Sequence, residues 1–149
     1  MSTRSLVAAE TEKGVVGVYV HWDGYPDGRI EVLRQLAQRD GMAAMVRTIV
    51  GKPNGWSSLD PEAATLSIGY HDGRFALVPG YGIEYTNVEN QGHTEYWTPE
   101  THDPETWAEY LYIIRANGTV DWAPINSDER DITTFDWHTV SLLPEGVSS

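Results

Sequence analysis

The stretch of residues 15–28 constrains the fold of this 149-residue chain more than any other part of its sequence. Residues 15–20 form an apolar and mostly β-branched run, which is typical of a strand buried on both faces and therefore central in a sheet. The next eight residues, His-Trp-Asp-Gly-Tyr-Pro-Asp-Gly, end that strand at residues 21–28. Apolar residues then recur at helical spacing, which predicts a helix from about residue 29 to residue 39, capped by Asp27 or Gly28.

A second strand precedes this segment and a second helix follows it. Residues 6–10 form another apolar run, and the Thr-Glu-Lys-Gly of residues 11–14 predicts a hairpin with a glycine-containing turn. Apolar residues at positions 42, 45, 46, 49 and 50 predict an amphipathic helix, which Gly51 ends and Pro53 prevents from resuming. Residues 53–64 are predicted to be a loop that holds Trp56.

The remainder of the chain is predicted to be mostly β structure. Asp72-Gly73 and Asn117-Gly118 favour tight hairpin turns, joining residues 65–70 to 74–78 and residues 108–115 to 120–125. Further strands are predicted over residues 82–88 and 135–143, and residues 89–106 are predicted to be an unusually long polar loop. These elements predict an α+β fold, in which two consecutive N-terminal helices pack on one face of a mostly antiparallel β-sheet.

Length and composition indicate a single domain over residues 1–149. Chains of this length commonly fold around one core, and 40% hydrophobic and 11% aromatic residues are enough to build it. Residues 1–59 hold the hairpin and both helices, and residues 60–143 form a β-rich acidic half. Residues 144–149 are predicted to be a frayed tail.

Negative charge is concentrated in the second half of the chain. The net charge is −12; residues 1–88 carry 10 acidic and 8 basic residues, whereas residues 89–149 carry 12 acidic residues against Arg115 and Arg130. A field of this sign repels phosphates, so we expect no direct binding of nucleic acid. An acidic surface can instead attract a basic partner or imitate the backbone of DNA, although most often it only confers solubility.

The sequence lacks the features that would indicate a membrane protein, a secreted protein or a common catalytic or metal site. It has no cysteine, no apolar run near the ~20 residues that span a bilayer, and no secretory leader, so we expect a cytoplasmic protein without a membrane partner. His21 with Asp23, and His93 with Glu95, have strand-like spacing, but the HExxH motif is missing. The nucleophile elbow, the P-loop and the dinucleotide fingerprint are missing as well, and we predict no metal and no cofactor.

The start of the chain and the end of the apolar strand form the candidate ligand site. Antiparallel pairing in the predicted hairpin places residues 3–5 beside residues 20–23. An arginine, a histidine and a helix N-terminus suit an anion such as a phosphate or a nucleotide, on whose base an aromatic ring could stack. A purely structural role is the alternative, since these residues can bond the strand, the turn and the helix to one another. The candidate ligand-binding residues are Thr3, Arg4, His21, Trp22, Asp23 and Tyr25.

Aromatic residues are dense in the acidic half. They are Tyr96, Trp97, Trp107, Tyr110, Tyr112, Trp122 and Trp137. Core packing and cross-strand pairing account for such residues in most sheets. The alternative is a partner surface, because aromatic anchors with an acidic rim suit a basic patch on another protein. Tyr96, Trp97 and Trp107 are the candidate partner-binding residues.

Three short motifs carry a resemblance to a known family. They are the Ser-Thr-Arg-Ser of residues 2–5, the Tyr-x-His-Trp-Asp-Gly-Tyr-Pro-x-Gly of residues 19–28 and the Ser-Ser-Leu of residues 57–59. With them the chain resembles small, mostly uncharacterised proteins of bacteriophages and their hosts, in which glycine usually stands in place of Ser2. The resemblance covers about residues 2–59 and implies a protein that acts inside a bacterial host, without implying a particular reaction.

The function predicted from these observations is that of a phage-encoded accessory protein. We expect it to be non-enzymatic and to bind a bacterial host protein in the host cytoplasm, altering host physiology or defence. The first alternative is a nucleotide- or anion-binding protein, or a hydrolase, that uses Arg4, His21 and Asp23. The second is an acidic DNA mimic, with carboxylates spaced along one face like backbone phosphates.

Overall fold

The computed structural model describes residues 3–12, 14–22, 24–51, 55–65, 75–86, 95–97, 109–125 and 135–143, with the backbone alone at residues 95–97. Nine strands of this part of the chain form one sheet, in the order β4-β5-β3-β2-β1-β7-β8-β9, and β6 also pairs with β2. The elements in chain order are β1 (Ser5–Thr11), β2 (Gly14–Val20), α1 (Pro26–Asp40), α2 (Met42–Val50), β3 (Trp56–Leu59), β4 (Phe75–Val78), β5 (Gly82–Tyr85), β6 (Glu95–Trp97), β7 (Tyr110–Ile114), β8 (Thr119–Pro124) and β9 (His138–Ser141).

The predicted N-terminal hairpin forms the centre of the sheet. β1 and β2 are antiparallel, with Ser5 opposite Val20 and Thr11 opposite Gly14. The other edge of β1 pairs in parallel with β7, and the other edge of β2 pairs with β6 and, at Val20, with β3. Both strands are therefore flanked on both edges, which explains why their sequences are apolar throughout.

Both helices share a buried cluster with one face of this sheet, which we call the first face. The cluster joins residues of the central strands to residues of α1 and α2, among them Val7, Val18, Val20, Leu33, Leu36, Met45 and Ile49. A smaller cluster on the second face holds Leu6, Ala8, Leu111, Ile113, Ala123 and Phe135. The predicted α+β class with a mostly antiparallel sheet is confirmed. In the described residues, neither helix has the length and apolar character needed to cross a membrane.

Two strands lie where the sequence predicted loops. β3 falls inside residues 53–64 and β6 inside residues 89–106, and both predictions of irregular structure are wrong at these positions. β3 forms because it pairs with β5 on one edge and, on the other, accepts bonds from the residues that follow β2, from His21 N–H to Trp56 O at 3.0 Å and from Trp22 N–H to Ser57 O at 2.9 Å. Its four residues carry no alternating pattern, so this pairing is decided by tertiary contacts.

The bounds of other elements differ modestly from the prediction. α1 begins at Pro26 rather than at residue 29, because proline suits the first turn of a helix, where its missing N–H is not needed. β9 covers four residues of the longer strand predicted over residues 135–143. Residues 66–70 of the strand predicted over residues 65–70 and the tail of residues 144–149 lie outside the described residues.

The register places the start of the chain and the start of α1 at the same end of the sheet. Ser5 pairs with Val20 on one side and with Tyr110 on the other, and Tyr110 pairs with Pro124. The end of β2, the starts of β1 and β7 and the end of β8 therefore lie together. We call this the motif end, since it holds the first residues of the chain and the segment that precedes α1.

Candidate functional site

The segment between β2 and α1 crosses the motif end of the sheet from β3 to β7. We call it the crossover loop, residues 21–25, of which residue 23 lies outside the described residues. Trp22 N–H donates to Ser57 O on β3 at 2.9 Å, and Gly24 N–H donates to Thr3 O at 2.8 Å. On the far side, the Tyr112 hydroxyl of β7 donates to Gly24 O at 2.5 Å. The backbone of the loop is thus bonded to β3, to β7 and to the residues that precede β1.

Gly24 is required because no side chain fits at its position. A Cβ there would lie 2.6 Å from Thr3 O and 2.9 Å from Ser5 Cβ, which is closer than real Cβ atoms approach other heavy atoms. Gly28, the other glycine of the same motif, has open space where its Cβ would be. Only the first of these two glycines is therefore explained by packing.

Two buried polar side chains hold the crossover loop from beneath. Arg29, in the first turn of α1, is 1% exposed, and its Nη2 donates to Trp22 O at 2.9 Å. Tyr112 is fully buried, and this burial raises the pKa of its hydroxyl above the usual range. A neutral hydroxyl and a guanidinium thus satisfy carbonyl groups that the loop would otherwise bury without partners.

Arg4, Tyr19 and His21 form a second polar group at the motif end. The Tyr19 hydroxyl lies 2.8 Å from His21 Nδ1. Burial raises the pKa of Tyr19 to about 12, against the opposing effect of the Arg4 charge, and burial together with that charge lowers the pKa of His21 below 6.5. At neutral pH the phenol is therefore protonated and the imidazole is neutral, and the tautomer of the imidazole decides which of the two groups donates this hydrogen bond.

The predicted ligand-binding residues are divided among different surroundings. Thr3 is buried and bonds through its backbone, whereas Arg4 and His21 lie with Tyr19, which packs against the second-face cluster. α1, whose N-terminus was predicted to bind the same anion, packs instead on the first face. Asp23 lies outside the described residues, so its predicted role is not addressed by the structure.

Trp22 and Tyr25 are the large apolar side chains that stand exposed in the described part of the chain. Trp22 is 38% exposed and meets the His21 ring edge-on, with centroids 4.7 Å apart. Tyr25 is 59% exposed and lies 6.4 Å from the Tyr110 ring on the other side of the loop. The crossover loop therefore presents one exposed ring beside His21 and another beside Tyr110 of β7.

The aromatic residues that the structure brings together at the motif end are not the three that were predicted to bind a partner. The backbone of Tyr96 and Trp97 pairs with β2, their side chains are not described, and Trp107 lies outside the described residues. The structure instead assembles an aromatic row, which we define as Tyr25, Tyr110, Trp122 and His138. The Asn117-Gly118 turn could have indicated part of this row, because the register it sets places Trp122 opposite Tyr112 and beside Tyr110.

A polar cluster of a different kind lies at the C-terminal end of α1. Arg39 donates to both carboxylate oxygens of Asp40, at 2.9 and 2.7 Å, and to the carbonyls of Pro61 and Gly80, at 3.0 and 2.9 Å. Tyr81 also donates to Asp40, at 2.6 Å. Hydrogen bonds from Arg39 and Tyr81 lower the pKa of Asp40 to about 2. These contacts join α1 to the segments around β3 and β5, and we call them the α1 staple.

Metal-binding geometry does not occur among the residues that the structure describes. In those residues no group of three or more His, Asp or Glu side chains is arranged to hold an ion. His93 and His102 lie outside them, as do most carboxylates of the acidic half on which DNA mimicry would depend. The predictions that no metal and no cofactor are bound, and the alternative of a DNA mimic, stay predictions.

Comparison with known proteins gives this chain no family. No family model matches it, and neither a curated protein nor a solved structure matches it. What the motif end does is therefore inferred from its own residues and geometry.

Proposed function

We propose that this chain is a non-enzymatic binding protein that captures a protein partner with the exposed aromatic side chains of its crossover loop. The observation that carries the proposal is the position of Trp22 and Tyr25, which are the exposed large apolar side chains of the described residues and lie three residues apart. Aromatic rings of this kind are enriched among the residues that dominate protein–protein affinity.

The rigidity of the crossover loop supports this proposal. Gly24 is bonded to Thr3 and to Tyr112, and Arg29 bonds the carbonyl of Trp22 from a buried position. Two rings on such a backbone lose little conformational freedom when a partner covers them, and a pre-ordered surface binds more tightly for this reason. The hydrogen bonds that hold the loop in one conformation would thus increase its affinity for a partner as well as the stability of the fold.

The biological setting that we propose follows from the resemblance to bacteriophage proteins. The partner would be a protein of the bacterial host, and the complex would form in the host cytoplasm and alter host physiology or defence. The residues that carry the resemblance include both exposed rings, so a shared partner surface would account for their presence in the motif.

An affinity capture from bacterial lysate tests the proposal. The wild-type protein should retain a host protein in a fixed ratio, and the Trp22→Ala/Tyr25→Ala double variant should retain less than about a tenth of it, since each ring is expected to contribute more than 1 kcal/mol. Gln38→Ala, an exposed change further along α1, is the matched control and should retain the partner.

Two further outcomes bear on the same proposal. His21→Ala should also retain the partner as long as the variant folds, because His21 is partly buried and does not belong to the exposed pair. A folded double variant that captures the host protein as well as the wild type does would contradict the proposed surface.

A small anionic ligand at Arg4 and His21 is the second candidate function. The charge of Arg4 acts on the ring of His21, and the imidazole tautomer that carries its proton on Nε2 can donate to an anion beside a guanidinium. Nucleotides or inorganic phosphate should then raise the melting temperature, and Arg4→Ala should abolish the increase. A panel of nucleotides and divalent metals without any thermal shift would exclude this candidate.

A further inference from the structure

The aromatic row continues the exposed surface of the crossover loop as far as β9. Trp122 and His138 are register partners on β8 and β9, and their rings stack with centroids 4.4 Å apart and planes 21° apart. Tyr110 meets Trp122 edge-on at 6.2 Å, and Tyr25 lies 6.4 Å from Tyr110. The rings therefore form a continuous series of contacts from the start of α1 to the last strand in the sheet order.

One side of the aromatic row is held by the core and the other meets solvent. Tyr110 and Trp122 are partly buried and pack against the first-face cluster. The side chain of His138 is 47% exposed and Tyr25 is 59% exposed. A partner would thus find these rings already positioned, with exposed faces at both ends of the row.

Carboxylates lie near both ends of the aromatic row, Asp136 two residues before His138 and Asp27 two residues after Tyr25. Asp136 Oδ2 is 3.5 Å from His138 Nε2, and the Asp136 side chain is 85% exposed. Asp27 and Glu31 are exposed on the first turns of α1. Arg34, also on α1, pairs with Glu31 at 3.5 Å and donates to Ser141 O of β9 at 3.1 Å, so this cation already bonds within the chain.

We infer that the aromatic row docks a basic segment of the partner protein, with an arginine or lysine side chain lying on its exposed rings. This inference rests on the proposed function, in which the partner is a protein. Aromatic faces attract a cation within about 6 Å of the ring centroid, and the exposed Asp27 and Asp136 supply opposite charge near the two ends of the row. The net charge of −12 also attracts a basic segment over a longer range and accelerates its association.

A defined basic peptide tests this inference directly. The probe is a fluorescein-labelled decapeptide of alternating arginine and glycine, titrated with the full-length protein and followed by fluorescence anisotropy. We expect saturable binding that weakens as salt is added. A peptide with glutamine in place of arginine should bind at least tenfold more weakly. Equal binding of the two peptides, or no binding of the arginine peptide, would overturn the inference.

Paired variants then locate the peptide on the protein. Tyr25→Leu removes the aromatic face but keeps apolar bulk, and it should weaken arginine-peptide binding about three- to tenfold, whereas Tyr25→Phe should keep it. Asp136→Asn should weaken it about threefold or more. Glu12→Gln removes the same charge at the β1–β2 turn, at the opposite end of the sheet, and should change the affinity less than twofold.

The failure of this inference can be distinguished from that of the proposed function. Equal losses from Asp136→Asn and Glu12→Gln would mean that net charge alone attracts the peptide, and would overturn the inference while leaving host-protein capture to be judged by the Trp22→Ala/Tyr25→Ala variant. Conversely, if that double variant still captures the host protein, the proposed function fails, and the peptide titrations decide separately whether the aromatic row binds basic segments.

Discussion

The two ends of α1 are both tied to the sheet by polar side chains, but they leave different groups at the surface. At the start of the helix, Gly24 of the crossover loop and Arg29 of α1 are buried, and the rings of Trp22 and Tyr25 on the same loop are exposed. At its end, the α1 staple joins Arg39 and Asp40 to neighbouring segments through bonds that reach the surface.

This difference shows why residue type alone does not mark a functional site. The α1 staple contains a guanidinium, a carboxylate and a phenol, which are common catalytic groups, yet their bonds are made to one another and to backbone carbonyls. The side chains of Arg29 and Tyr112 likewise donate to backbone carbonyls, those of the crossover loop. What distinguishes the motif end is apolar surface that the described residues do not cover.

Among the variants that test this comparison of the two ends of α1, we expect the largest loss of stability from a substitution at Gly24. Gly24→Ala places a Cβ against Thr3 O and Ser5 Cβ, which are backbone and strand atoms that cannot move independently. We expect a loss of about 3 kcal/mol in the free energy of unfolding, as is typical when a tight backbone contact is overpacked. Urea denaturation followed by far-ultraviolet circular dichroism measures it.

Gly28→Ala is the matched control from the same motif. Its Cβ meets nothing within 4 Å and the residue lies in α1, so alanine should stabilise the protein by up to about 1 kcal/mol. If Gly24→Ala proved as well tolerated as Gly28→Ala, the crossover loop would be less firmly held than its hydrogen bonds indicate, and the argument for a pre-ordered surface would fail.

A pair of tyrosine variants compares the two ends of α1 directly. Tyr112→Phe removes the buried hydroxyl that donates to Gly24 O, and should cost about 1–2 kcal/mol of unfolding free energy because the carbonyl is left buried without that donor. Tyr81→Phe removes the donor to Asp40 in the α1 staple, where water can replace it, and should cost about 0.5–1 kcal/mol. Thermal and urea denaturation of both variants gives the ranking, and a reversed ranking would contradict the burial difference.

Local sequence patterns predict much of this fold, and they miss the elements that depend on residues distant in the chain. The β1–β2 hairpin, α2 and the Asn117-Gly118 turn each follow from residues close together in the chain. β3 and β6 have four and three residues and form by pairing with strands that are distant in the chain, β3 with β2 and β5 and β6 with β2. Strands this short contain too few positions to show an alternating pattern.

The candidate site divides in the same way. The hairpin register places Arg4 near His21, and this proximity was predictable from the chain between them. The bond from Tyr112 to Gly24 joins residues 88 positions apart, and no local rule indicates it. The exposure of Trp22 and Tyr25 also depends on which other residues fill the core. The sequence alone therefore could not show which residues of the motif are buried and hold the loop and which are exposed at the surface.

Acid should weaken the α1 staple in a pH range of its own. The pKa of Asp40 is lowered from 3.8 to about 2 in the folded protein, so the carboxylate stabilises the fold above pH 4, and this contribution is lost as the pH falls towards 2. The effect should be small, because the pair is partly exposed and screened by solvent. Asp40→Asn should remove this part of the pH dependence of the unfolding free energy, and an unchanged acid profile in that variant would contradict the assignment.

His21 gives the smallest effect and a separate pH range for the motif end. Its pKa is lowered below 6.5 by burial and by Arg4, so protonation is less favourable in the folded than in the unfolded chain, and stability decreases as the pH falls below 6.5. We expect this change to be small, because the ring is only partly buried. A nuclear magnetic resonance titration, with the His21 signal assigned through His21→Asn, should show an imidazole pKa below 6.5 that rises towards this value in Arg4→Gln. A His21 pKa at or above 6.5 in the wild type would mean that Arg4 and Tyr19 do not enclose the ring, and the motif end would then lack the polar group on which the anionic-ligand candidate depends.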